Sequence, residues 1–178
     1  LNVSINNTVS DVVVDDASAT AEVDAPSLNV AGLTRSRLAG ITLGGAGAVT
    51  ALALPAISGT ISALALDGNG GLFLGGAFQI TPEKDNPAQL AKVTIATNAT
   101  SAVVPYYATP RSLARTPKSG TSGVLALVRQ GSSLFVGGDF SDYGTAARSG
   151  LAAYDLTSGA LRNDFNPSPD GMVMVVRA

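Results

Sequence analysis

The stretch GLFLGGAFQI runs over residues 71–80, and SLFVGGDFSD over residues 133–142. Each sets an apolar triplet before two glycines, one small or acidic residue and a phenylalanine. A phrase written twice points to internal repetition, and a repeat changes how every other segment is read. Phe78 and Phe140 stand 62 residues apart. A second phrase follows each: PAQLAKVTIATNA at 87–99 and RSGLAAYDLTSGA at 148–160, sharing Leu90-Ala91 and Leu151-Ala152. The same pair occurs earlier, as Leu38-Ala39 in RSRLAGITLGGAG (35–47). Arg35 and Arg148 each precede their leucine by three residues. Three copies of irregular length are therefore expected, varying mostly between the matched segments.

Within each copy the apolar runs are short, rich in β-branched residues and bounded by turn residues, the pattern of strands. The third copy predicts strands at VLALVR (124–129), LFVGG (134–138), LAAYDL (151–156) and a more polar LRNDF (161–165). The second predicts ISALAL, LFLGG, LAKVTI and SAVV; the first predicts DVVV, ATAEV, LAGITL and AVTALAL. No stretch sustains the i, i+3, i+4, i+7 apolar spacing of an amphipathic helix. Four antiparallel strands in roughly 40–60 residues, with glycine at fixed places, is the pattern of a β-propeller blade. The expected fold is all-β, with blades at about 10–55, 61–104 and 122–165. A long connection spans 105–121, and MVMVVRA in 171–178 reads as the first strand of a further blade. Three blades and an orphan strand predict part of a larger propeller. The Leu at position 1 likewise reads as the start of a mature product or of a piece of something longer.

In this architecture Gly75, Gly76, Gly137 and Gly138 end the second strand where a side chain would collide with a neighbouring strand or where the backbone bends. Phe78 and Phe140 then fill the gap between adjacent blades. The rival reading, glycines approaching a phosphate, needs a following helix N-terminus, and the sequence offers none. The third copy resembles the delta-sixty, kelch-like propeller repeat: apolar-V-G-G-x-F, then R-x-x-L-A, then a D-x-x-x-G turn. Its matching residues are Gly137, Gly138, Phe140, Arg148, Leu151, Ala152, Asp155 and Gly159. The second copy departs from the repeat at Pro87 and Thr94, and the first keeps only Arg35, Leu38 and Ala39. The resemblance implies an extracellular or cell-surface protein that binds or builds, and says little about a ligand.

Composition narrows the chemistry. The 178 residues are 46% hydrophobic and 13% charged, so the chain has apolar surface to bury and is not expected to be disordered. The net charge of −2 gives no footprint for nucleic acid. No apolar run reaches the length of a membrane span. There is no His and no Cys, which removes the commonest general base, thiol nucleophiles and thiolate metal sites. No enzyme and no cofactor are expected. Asp15 and Asp16 are adjacent carboxylates, but neighbours on a strand face opposite ways and make a poor glycosidase pair.

Other residues admit two readings each. Asp67 and Asn69 in LDGNGG (66–71) suit a calcium loop or a hairpin turn. Asp139 and Asp142 are too few for a metal and suit a solvated loop. Asn2, Asn6 and Asn98 head N-glycosylation sequons, with Asn98 in a predicted turn. The 105–123 connection carries Tyr106, Tyr107, Arg111, Arg115 and Lys118, and is either a binding loop on a rigid scaffold or a flexible insertion. The expected function is a non-catalytic extracellular or surface module for structure and protein–protein interaction. Its partners are further blades of the same polypeptide or neighbouring subunits, with glycans as a further option. The alternative is a carbohydrate-binding or adhesive receptor; a hydrolase is the third reading.

Overall fold

The computed structural model describes residues 9–15, 20–30, 33–42, 49–50, 57–80, 88–94, 103–104, 123–140, 142–143 and 146–178. All regular structure among them is β. The first sheet contains β1 (Asp11–Asp15), β2 (Thr20–Val30), β3 (Leu33–Thr42) and β4 (Val49–Thr50). The second contains β5 (Ile57–Leu66), β6 (Gly71–Ile80), β7 (Ala88–Thr94) and β8 (Val103–Val104). Both are antiparallel meanders in which each strand pairs with the next in sequence. The third contains β9 (Val124–Gln130), β10 (Ser133–Gly138) and β13 (Leu151–Asp155). A short hairpin of β11 (Asp142–Tyr143) and β12 (Ala146–Ala147) stands in the β10–β13 connection.

The third sheet is one strand short of the four expected. Residues 161–165 contribute only a bridge between Leu161 and Tyr154. The cause lies in the polar residues of LRNDF. Arg162 pairs with Asp164 two residues on (Nη2–Oδ2 2.6 Å) and donates to Ser133 Oγ at 2.8 Å. The Phe165 N–H returns to the Arg162 carbonyl, so the chain turns here instead of extending the ladder.

The sheets stack in sequence order, each through its first strand. β5 packs on β1, β2 and β3, and β9 packs on β5 and β6. The middle sheet is thereby buried on both faces, which explains the unbroken apolar triplet Leu72-Phe73-Leu74. Successive side chains of a strand point to opposite faces. Leu72 and Leu74 join Leu38, Val13, Leu64, Ala91 and Val93 in the layer toward the first sheet. Phe73 joins Ala63, Ala65 and Leu90 in the layer toward the third, against Val124, Leu127, Leu134, Val136, Ala152 and Tyr154. Each large apolar side chain so buried contributes about 1.5–3 kcal/mol.

One irregularity occurs at the same place in two sheets. Opposite Gly75-Gly76 the register passes from Ile61↔Gly76 to Ala63↔Gly75, so Ser62 is an extra residue. Opposite Gly137-Gly138 it passes from Val124↔Gly138 to Ala126↔Gly137, so Leu125 is extra. A bulge reverses the alternation beyond it. Ile61 is thus delivered to the layer of Leu64 rather than that of Ala63.

Candidate functional site

The two sheet–sheet joints gather the repeated residues, and there the paired glycines do different things. A Cβ on Gly76 would collide with the Thr60 carbonyl oxygen and stand 2.9 Å from Ile61 Cα. A Cβ on Gly138 would collide with the Gly123 carbonyl oxygen and stand 3.1 Å from Phe140 Cδ1. In both cases the obstacle includes the backbone of the sheet's own first strand, or of the residue just before it, drawn close by the bulge. Gly75 and Gly137 instead face what covers the sheet. A Cβ on Gly75 would stand 2.5 Å from Val124 Cγ1 and 3.1 Å from Leu127 Cδ1, both on β9 of the next sheet. A Cβ on Gly137 would stand 2.8 Å from Val173 Cγ1 and 2.9 Å from Val176 Cγ2.

The spacing of the covering residues is the same, three apart, in both places. The segment 172–178 forms no ladder of its own, but Val173 donates its N–H to the Gly138 carbonyl at 3.0 Å. It therefore lies on β10 as β9 lies on β6. Phe78 and Phe140 are each about 1% exposed. Phe78 belongs to the layer between the first two sheets, and Phe140 to the layer between the second and third.

Polar groups tie the joints. Asp11 on β1 accepts the Leu64 N–H through Oδ2 at 2.7 Å, a bond between sheets one and two. Asp67 is 5% exposed. Its Oδ1 accepts the N–H groups of Asn69 and Gly71, both at 2.7 Å, and its Oδ2 pairs with Lys92 Nζ at 2.5 Å. Burial pushes this carboxyl up, but the hydrogen bonds from Lys92, Asn69 and Gly71 outweigh it and hold the pKa below its ordinary value. Oδ1 thus holds the β5–β6 turn, and Oδ2 ties that turn to Lys92 on β7. Lys92 also lies 5.5 Å from the Phe73 ring centroid, over its face.

The repeat's later residues have equally local roles. Arg148, 6% exposed, donates through Nη1 to the Ala147 carbonyl and through Nη2 to Asn163 Oδ1 at 3.1 Å, fixing the turn after Leu161. Asp155 Oδ1 accepts from the N–H groups of Thr157 and Ser158 and from the Ser158 hydroxyl. The Ser158 N–H is the largest of the influences that lower its pKa. Gly159 follows at φ 72° and donates its N–H to the Asp155 carbonyl. The D-x-x-x-G spacing is thus one turn in which the aspartate holds two amides and the glycine takes a left-handed conformation.

Asp139 is buried beside Gly138, with its N–H on the Gly123 carbonyl at 3.2 Å. Asp142 lies in β11. Among the described residues there is no group of three or more acidic residues placed to hold a metal, and no helix long and apolar enough to cross a membrane. Asn2, Asn6, Asn98, Asp16, Tyr106, Tyr107, Arg111, Arg115 and Lys118 lie outside the described residues, as does the 105–121 connection. Sequence reasoning passed over Asp11, because a strand-edge carboxylate bonded to a distant amide leaves no pattern in the chain. No family model matches the chain, and no curated protein is similar to it. The fold and its joints define an all-β chain of serially stacked antiparallel meanders.

Proposed function

We propose that the three sheets are blades of the β-propeller type, and that the chain is a non-catalytic extracellular or cell-surface module for structure and protein–protein interaction. The observation that carries this reading is the joint itself. The first glycine of the repeated Gly-Gly-x-Phe phrase is a docking point in both copies, Gly75 under Val124 and Leu127 of the next sheet, and Gly137 under Val173 and Val176 of the 172–178 segment. Asp67, whose loop also suits calcium by sequence, is committed to a turn, as is the repeat's Asp155. The reading of a surface location rests on the resemblance of the third copy to the delta-sixty, kelch-like repeat and on the sequons at Asn2, Asn6 and Asn98.

The test is protease shaving of intact source cells, read with an antibody against the chain. Loss of the signal while cytoplasmic markers survive is the expected result. A signal that resists shaving and fractionates with cytoplasm overturns the proposal. Treatment with a peptide N-glycosidase checks the sequons through a drop in mass.

A further inference from the structure

The β5–β6 turn contains Asn69-Gly70, the one Asn–Gly step in the chain. An asparagine side chain holds a carbonyl carbon, Cγ, within reach of the backbone nitrogen of the next residue. Attack by that nitrogen closes a five-membered succinimide ring. Glycine as the next residue has no Cβ to hinder the approach and reaches the ring-closing conformation freely. Asparagine is counted among the thermolabile residues.

The turn leaves both reacting groups free. Asn69 and Gly70 are exposed. The Asn69 and Gly71 N–H groups are held by Asp67 Oδ1, and the Asp67 N–H donates to the Gly71 carbonyl at 2.8 Å. The Gly70 N–H between them has no acceptor among the described residues, and the Asn69 side chain has no partner there. Gly68 and Gly70 both adopt φ 76°, so Asn69 stands between two residues of wide conformational range. Two other asparagines differ. Asn166 precedes Pro167, which has no N–H, and Asn163 Oδ1 accepts from Arg148 Nη2 at 3.1 Å. A cation from the third sheet lies against the same turn. A Cβ on Gly68 would stand 2.5 Å from Arg129 Nη1 and 2.9 Å from Arg129 Cζ, so the guanidinium rests on the residue before Asn69. Arg129 belongs to β9, is exposed and makes no ion pair among the described residues. Lys92, the other cation at this turn, is already taken by Asp67.

We propose that Asn69 is a site of spontaneous deamidation, and that the carboxylate it becomes pairs with Arg129 and ties the second sheet to the third. The Gly70 nitrogen gives up its proton and forms a bond to Asn69 Cγ. The bond from Cγ to the side-chain nitrogen breaks, and that nitrogen leaves with the proton as ammonia. Water then adds to one of the two imide carbonyls. Its oxygen forms the new C–O bond, the C–N bond at that carbon breaks, and the ring nitrogen recovers a proton. Opening at Cγ leaves aspartate; opening at the main-chain carbonyl leaves isoaspartate, whose main chain runs through Cβ. The net change is water in and ammonia out, with nothing oxidised or reduced. Either product puts a negative charge where a neutral amide stood, one residue from the backbone on which Arg129 rests. The extra main-chain carbon of isoaspartate falls at the exposed tip, between ends that Asp67 holds.

The test ages the full chain at neutral pH and follows each asparagine by peptide mass spectrometry, with an isoaspartyl methyltransferase assay for the second product. Asn69 should convert several-fold faster than Asn163, with Asn166 unchanged. Conversion of Asn69 no faster than that of Asn163 overturns the modification. The pairing is read from N69D, which installs the product directly. N69D should melt about 1–3 °C above the parent at low salt, the scale of one exposed ion pair in a chain of this size. The gain should vanish in an R129Q background and at high salt, where the screening length falls to about 3 Å. N69S, which cannot close the ring, should melt like the parent and stay unmodified. An N69D gain that survives R129Q, or no gain at all, overturns the pairing with Arg129. Far-UV circular dichroism verifies folding; aged parent, separated from unaged chain by ion exchange, takes the place of N69D if that variant fails to fold.

Discussion

Alanine at Gly76 should be among the most damaging of single-methyl additions to this protein. Its Cβ would collide with the Thr60 carbonyl oxygen and lie 2.9 Å from Ile61 Cα. Both atoms are backbone, held by the bulge, so no side-chain rotation relieves the contact. Overpacking a well-packed interior costs about 1–3 kcal/mol, and a clash with backbone belongs at the top of that range, about 3 kcal/mol. Gly75→Ala meets Val124 and Leu127 side chains. Val124 is β-branched and stiff, so the third sheet must shift, and about 2 kcal/mol is expected. Gly137→Ala meets Val173 and Val176 on a half-exposed segment that can move outward, so the loss should be under about 1 kcal/mol. Gly171→Ala, with nothing within 4 Å, is the neutral control. Urea unfolding followed by far-UV circular dichroism gives the four midpoints at a common slope. A Gly76→Ala midpoint equal to that of Gly171→Ala would refute the close approach, and with it the architectural reading of the glycine pair.

Three further outcomes are expected. Phe73→Ala should lose about 3–5 kcal/mol, and Phe135→Ala less than half of that because its ring is only half-buried; equal losses in urea melts would mean that the two faces are equally covered. Asp11→Ala should leave the Leu64 amide without its acceptor, lowering stability by about 1–3 kcal/mol and speeding hydrogen exchange at that amide, whereas Asp11→Asn, which keeps an oxygen, should restore most of the protection. Asp67, Asp155 and Asp164 have pKa values lowered in the fold; their stabilisation is fully present above the unfolded carboxylate value of about 3.9 and is lost as pH falls through the lower folded values, so melting temperature should drop in acid, and D67N should both destabilise at neutral pH and shallow that acid limb.

The repeated phrase carried the strand order because its physics is local. An apolar triplet between turns marks a strand buried on both faces, and Leu72, Phe73 and Leu74 are so buried. The Asp155–Gly159 turn was legible for the same reason, since all its bonds fall within five residues. The bulges at Ser62 and Leu125 were not legible, because an extra residue shows only against its partner strand. The fourth strand of the third sheet was expected from Leu161 and Phe165, but the Arg162–Asp164 pair and the turn at Phe165 prevailed. The division of labour within each glycine pair was hidden too. Gly76 answers to its own sheet and Gly75 to the next one, and only the stacking distinguishes them.

The central claim is that the first glycine of each pair is a docking point, Gly75 for the third sheet through β9 and Gly137 for the 172–178 segment. The chain has no cysteine and 20 glycines, so selective glycine and valine labelling for NMR is straightforward. The direct measurement is the set of nuclear Overhauser contacts from the Gly75 and Gly137 Hα protons to valine methyls. Contacts from Gly75 to Val124, and from Gly137 to Val173 and Val176, are the predicted result. Their absence in a folded sample, or contacts from Gly75 to Val173 in place of Val124, would contradict that docking.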